Sequence, residues 1–295
     1  MIECAPASEV QTAPDPYLIR IRDLIYQVAG IFYTDNKLRL LSDRCGRRMN
    51  ALKVATCREY LAHLTPPATA TVEITKLLNE ITIGETCFFR NQPQLDALKG
   101  IVWPNIMAAR ADHPVKRMRI WSAGCSTGEE PYTLAIMLLE ETYRGAMHGW
   151  SFEIRATDLN ERSLAHANEG VYDEYSVRNV TPQLRQKYFR QEGDKWRVAP
   201  EPRRYVNFSR LNLSEELSMS SMRSLDLIFC ANVLIYFDLA SKRKVIQHFY
   251  ESLMPHGYFF LGHSESLYGV HDQFRLVHFP AATAYAKSPP PGGGK

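Results

Sequence analysis

The chain has 295 residues, 45% hydrophobic and 23% charged, which is enough for two modest domains or one large one around a real core. A net charge of +3 argues against a wholesale polyanion binder and leaves room for a local basic patch. No apolar run reaches the ~18 residues of a membrane span, no basic and apolar leader reads as a secretory signal, and six scattered cysteines and nine histidines fit no C-x-x-C or metal-ligand spacing, so reduced thiols in a cytoplasmic, metal-free protein are expected.

Residues 1–16 are rich in Pro and Ala and read as disordered, as does the low-complexity tail 288–295. Residues 17–84 read as a helical domain. Its second helix carries an apolar stripe of Leu38, Leu41, Cys45, Met49 and Leu52 at three- and four-residue steps. Lys37, Arg44 and Arg48 follow one flank, with Arg47 beside them. From Lys37 to Arg58 there are seven basic residues and one acid, Asp43, a local excess larger than the charge of the whole chain. A solvated helix face and a docking surface for an acidic partner are both consistent with it. Pro66-Pro67 breaks this region.

Beyond residue 105 the pattern changes. "MRIWSA" (118–123), "FEIRAT" (152–157) and "LDLIFCAN" (225–232) read as strands, with helices over 129–143, "NERSLAHANEG" and "KRKVIQHFYESLM". "GYFFLGHS" and "LVHFPAATAYA" read as two late strands. Strands alternating with helices predict a mainly parallel α/β sheet. A turn signal at Glu192-Gly193-Asp194 predicts a small β insertion.

Gly124-Cys125-Ser126-Thr127-Gly128 fits two chemistries. G-x-S-x-G between a strand and a helix is the elbow of serine hydrolases, with Asp238 and His263 as the available partners of Ser126. A glycine-rich oxyanion loop ahead of Ser126 is missing. The alternative is a cofactor cradle. Small residues Ser122, Ala123 and Gly124 let a ligand approach the backbone, and the next strand ends in Asp158, an acceptor suited to a ribose diol. Asn160 is there to cap the following helix, so Asp158 is free for this task. The helix after the loop opens with Glu129 and Glu130, which help its dipole and repel a pyrophosphate. A cationic, phosphate-free nucleoside cofactor, S-adenosylmethionine, fits these demands.

"GETCFFRN", "IWSAGCSTGEEPY", "ATDLNERSLAHANEGVY", "FSRLNL", "IFCANVLIYF" and "GYFFLGHSESL" occur in this order. Together they resemble the chemotaxis-receptor methyltransferases, the CheR family, from residue 17 to about 287. The resemblance implies a Rossmann-like, seven-stranded class I methyltransferase sheet over 106–287, with a small antiparallel β subdomain inserted at about 187–208. It implies an all-helical domain over 17–84 and a linker over 85–105 that carries the T-x-F-F-R cofactor motif. The implied reaction moves a methyl group from S-adenosylmethionine to glutamate carboxylates on the cytoplasmic helical domain of chemoreceptors (methyl-accepting chemotaxis proteins), leaving S-adenosylhomocysteine. By motif position, Thr86, Arg90, Glu130, Asp158, Asn212, Leu213 and Asn232 are implied cofactor contacts, with Ala123, Gly124 and Ala231 beside them. Arg90 and Tyr236 are the groups implied nearest the reacting methyl. The basic flank (Lys37, Arg44, Arg47, Arg48) is the implied docking face.

Two positions depart from the family pattern. Gly84 stands where Asn is frequent, and Ala231 stands where Arg commonly precedes the Asn. Each removes a side-chain contact and keeps open a cofactor-binding regulator without turnover. The hairpin "RQEGDKWRV" lacks the glycine-rich insertion of members that tether to a receptor's C-terminal pentapeptide, so no such tether is expected. A nucleic-acid methyltransferase is disfavoured, because no prolines follow Asn232 and no basic stripe is interleaved with aromatics.

Overall fold

The computed structural model describes residues 14–82 and 84–287. Of the ends expected to be disordered, residues 1–13 and 288–295 lie outside this range, while Pro16 already opens a helix. The chain divides into two compact units: residues up to Gln27 with Phe32–Ile81, and Val28–Ile31 with Thr82 onward.

The first unit is built from helices Pro16–Ala29, Leu38–Leu52, Cys57–Leu64 and Pro67–Ile81, the last two residues of the first helix counting with the second unit. Thr56 and Glu59 cap the third helix reciprocally, each side chain accepting from the other's main-chain N–H. On the second helix Leu38, Leu41 and Cys45 are buried, as their spacing predicts. The stripe then continues through Arg48, whereas Met49 and Leu52 are half-buried. Arg48 is therefore corrected from docking residue to buried ion-pair residue: its guanidinium is held by Glu73, which also accepts from the Tyr60 hydroxyl. Lys37 and Arg47 are exposed and Arg44 is half-buried.

The second unit contains strands β1 (Arg117–Ala123), β2 (Ser151–Asp158), β3 (Val171–Tyr172), β4 (Phe189–Glu192), β5 (Lys195–Val198), β6 (Val206–Arg210), β7 (Leu225–Cys230), β8 (Leu253–Leu261), β9 (Phe274–Phe279) and β10 (Ala282–Lys287). Seven form one sheet in the order β6-β2-β1-β7-β8-β10-β9. Neighbours from β6 to β8 are parallel, and β10 runs antiparallel to both β8 and β9. All six residues of β7 are buried, as a central parallel strand covered on both faces requires. Alternate residues feed two cores: Ile120, Leu227 and Phe229 enter one, and Trp121, Ile228 and Cys230 enter the other. Burying each large side chain is worth about 1.5–3 kcal/mol.

Three sequence expectations change here. "LVHFPAATAYA" is a hairpin rather than one strand, turning at Pro280-Ala281 with Ala281 at φ 58°. The small sheet is β3-β5-β4, so it begins at Val171 and ends at Val198, while β6 joins the main sheet beside β2. The segment 85–105, expected as a linker, clusters with the second unit and is helical from Gln92. That helix widens into a π-turn at Leu98–Val102, ahead of Pro104, which has no N–H to donate and crowds the preceding turn.

Candidate functional site

Strand β1 lies between β2 and β7, so the crossovers leave it in opposite directions and open a crevice at the strands' carboxyl ends. A cavity of about 620 Å³ occupies this place. The strand ends supply Gly124 after β1, Asp158 on β2, Asn212 after β6, Asn232 after β7 and Gly262 after β8. Asn91, Gly124, Ser126 and Asn232 on its wall have positive φ (66°, 76°, 49° and 60°). Three of them are not glycine, and such conformations persist only where the surroundings hold them.

The loop after β1 is stapled to the end of β2. The N–H groups of Gly124 and Cys125 both donate to the Thr157 carbonyl, at 2.8 and 2.9 Å. The next N–H, of Ser126, donates to Asp158 Oδ2 at 2.8 Å. Gly124 is required here by its φ and because a Cβ would overlap Val233 Cγ2. Asp158 Oδ1 accepts from Asn160 N–H at 2.8 Å. The Leu159 N–H also pulls on this carboxylate, which, as an acceptor of roughly four bonds, keeps limited capacity for a ligand. Burial pushes the Asp158 carboxyl up, against the pull of these N–H groups. Asn160 caps the helix Glu161–Glu169 by accepting from the Arg162 and Ser163 N–H groups, as expected.

The paired acids divide. Glu129 is buried and accepts from the Thr127 hydroxyl at 2.6 Å; it does not line the cavity. Glu130 does, and accepts from the Ser122 hydroxyl at 2.6 Å. Burial lifts the Glu130 carboxyl to about 7, opposed by the Ser122 hydroxyl and the Arg90 charge. Its i,i+1 spacing from Glu129 makes the two face differently on a helix.

Thr86 and Arg90 line the cavity from the segment before residue 92. The turn carrying them is fixed by Phe89 N–H on the Thr133 hydroxyl at 3.0 Å. Arg90 is exposed and donates one bond, from Nη1 to the Glu85 carbonyl at 2.7 Å. Tyr236 also lines the cavity, in a short 3-10 turn, and is 40% exposed. Leu213 and Ala231 contribute apolar wall. Gly84, the other departure, is on the wall too.

Ala123 is corrected. It is the last residue of β1, and strand alternation turns its side chain into the core, 1% exposed and off the cavity wall. Asn212 lines the cavity with its side-chain amide engaged: Nδ2 donates to the Val28 carbonyl at 2.7 Å, and Oδ1 accepts from Ser214 N–H at 3.0 Å. The Ser214 hydroxyl donates to the Ala29 carbonyl at 2.8 Å, and Ile31 bridges Phe237. Ala29 and Ile31 consequently form part of the wall, which sequence reasoning missed. The visible signal was Gly30, at φ 68°, which from sequence alone reads only as a helix stop.

The hydrolase geometry is not assembled. Asp238 caps the helix Leu239–Ser252 by accepting from Ser241 N–H at 2.8 Å. His263 lines the cavity, and among the described residues no hydrogen bond joins it to Asp238 or to the Ser126 hydroxyl. No group of three or more His, Cys, Asp or Glu suited to a metal occurs among the described residues. The five described cysteines are free.

A model of the CheR methyltransferase SAM binding domain matches residues 84–283, and one of the CheR methyltransferase all-alpha domain matches residues 18–82. The chain belongs to the CheR methyltransferase family. It is 34% identical to chemotaxis protein methyltransferase 2 of Vibrio cholerae over 274 residues, covering 92% of this chain and 93% of that one. It is 34% identical to the chemotaxis protein methyltransferase of Escherichia coli over 282 residues, covering 93% and 91%. The corresponding protein of Borreliella burgdorferi is 33% identical over 253 residues, covering 85% and 88%.

This CheR methyltransferase uses S-adenosylmethionine, and the cavity fits it. The wall carries Glu130 and Asp158 beside a loop that admits no Cβ at Gly124, and among the described residues Arg90 is its one Lys or Arg side chain. That balance suits a cationic nucleoside and opposes a pyrophosphate. No described helix of this CheR protein is long and apolar enough to cross a membrane.

Proposed function

We propose that the chain methylates glutamate side-chain carboxylates on the cytoplasmic helical bundle of chemoreceptors. When bound, S-adenosylmethionine supplies a methyl group on a sulfonium; the acceptor oxygen forms the new C–O bond and the C–S electron pair stays with sulfur as S-adenosylhomocysteine. No proton moves, because a carboxylate acceptor is already ionised at neutral pH. The observation that carries the reading is Arg90, exposed at the cavity with one hydrogen bond made, a guanidinium able to orient a carboxylate. Its partial grip matters, since a full bidentate pair would quench the nucleophile. Tyr236 borders the same space and borders the methyl path in this reading. Placement of two reactants accounts for up to about 7–11 kcal/mol of barrier, so positioning is the enzyme's principal task.

In this reading Thr86, Arg90, Gly124, Glu130, Asp158, Asn212, Leu213, Ala231 and Asn232 contact the methyl donor, Asp158 receiving the ribose diol and Glu130 the positive end. Asn212 contributes through its main chain, because its amide is engaged elsewhere. Lys37, Arg44 and Arg47 dock the acidic receptor helices. The hairpin of β4 and β5 turns on Gly193-Asp194 alone, which supports docking without a pentapeptide tether.

The test is transfer of a tritiated methyl group from S-adenosylmethionine to receptor cytoplasmic fragments. A glutamate ester releases its label as methanol in mild alkali, whereas a methylated amine keeps it. Alkali-stable label, or no label with bound donor, removes the carboxylate reading.

A further inference from the structure

We propose that Glu265 is a positioning residue of the methyl-donor site, holding Asn232 in its left-handed conformation and joining the ends of β7 and β8. The parallel ladder of these strands ends at Cys230 opposite Leu261. Past that point the N–H groups of Asn232 and Gly262 need acceptors outside the ladder. One atom serves both: Glu265 Oε2 accepts from Asn232 N–H at 2.6 Å and from Gly262 N–H at 3.0 Å. The turn that brings it back is closed by Glu265 N–H on the Gly262 carbonyl at 3.0 Å.

The fit is tight. A Cβ on Gly262 would lie 2.6 Å from Asn232 Oδ1 and 2.8 Å from Glu265 Oε2. Asn232 and Gly262 line the cavity and Glu265 does not, so Glu265 acts through them. Asn tolerates φ near 60° better than most side chains and still pays for it without a restraint. The second carboxylate oxygen, Oε1, is buried and has no hydrogen-bond partner among the described residues. An unmet buried acceptor costs stability.

The inference rests on Asn232 belonging to the donor site, and the experiment separates the two ideas. S-adenosylhomocysteine affinity is measured by calorimetry on the full chain. Wild type that binds none of it defeats the site assignment itself. Given wild-type binding, Glu265→Ala weakens affinity at least about tenfold, the scale of one lost charge-assisted bond. Glu265→Gln, whose amide oxygen accepts the same two bonds, restores it to within about threefold. In an Asn232→Gly background, where φ near 60° needs no restraint, the Glu265→Ala loss shrinks to about threefold or less. Wild-type affinity in Glu265→Ala, no rescue by Gln, or an equal loss in both backgrounds overturns the proposal. If Glu265→Ala does not fold, Glu265→Leu, which keeps the bulk and removes both acceptor oxygens, replaces it in the cycle.

Discussion

Arg48 meets Glu73 through two parallel hydrogen bonds, Nε to Oε1 at 2.9 Å and Nη2 to Oε2 at 3.0 Å, with both side chains nearly enclosed. Arg48→Ala leaves the buried Glu73 carboxylate with the Tyr60 hydroxyl but without its charged partner, a loss of about 3–5 kcal/mol. Thermal unfolding of the variant should shift down sharply. A transition near that of wild type would place Arg48 back among the surface charges.

The surface charges give the opposite pattern. Reversing Lys37, Arg44 and Arg47 to Glu together should leave S-adenosylhomocysteine affinity unchanged and weaken methylation of receptor fragments, most at low ionic strength. Arg47 sits 3.7 Å from Glu80 while 57% exposed, so its loss costs little stability. Equal receptor methylation in the triple variant would make this helix face a solvated one.

Arg90→Ala should reduce turnover by at least about a hundredfold, as expected for an orienting group, with a smaller change in donor affinity. Turnover at the wild-type rate would take Arg90 out of the reaction.

Glu130 sets a pH dependence. Its carboxyl is raised from 4.5 to about 7, mainly by burial. Its contribution to folding is complete below about 4.5 and disappears as pH rises through about 7. A cationic ligand favours the ionised form, so binding below pH 7 should release a proton and affinity should rise as pH passes through this range. Calorimetry in buffers of different ionisation enthalpy measures that proton. Glu130→Gln should bind more weakly and lose the pH dependence. A retained dependence would assign the proton to another group.

Tyr236→Phe separates hydroxyl from ring. A fall in kcat with unchanged donor affinity assigns the hydroxyl to the acceptor; full activity leaves the ring a wall of the cavity.

The α/β alternation and the loop after "MRIWSA" were readable because each strand is a short apolar run followed by punctuation. The acid at Asp158 was readable because its place at a strand end is set by topology. What escaped depends on contacts distant in sequence. Arg48 and Met49 are neighbours on one helix, and the partner that holds Arg48 inward, Glu73, lies 25 residues away in sequence. Glu129 and Glu130 look alike in a sequence; Ser122 and Thr127 separate them. Ala123 is small enough for a cradle, and strand alternation alone buries it. The hairpin at Pro280-Ala281 was hidden because both arms share one apolar composition.

The four residues Val28–Ile31 precede the matched SAM-binding range by more than fifty positions, yet Asn212 and Ser214 fasten the Val28 and Ala29 carbonyls, and Ala29 and Ile31 line the cavity. A fragment trimmed to begin at residue 84 would therefore keep every recognisable motif and still lack a side of its own binding chamber. Excising the helical region and grafting a different one requires carrying this short ribbon across intact.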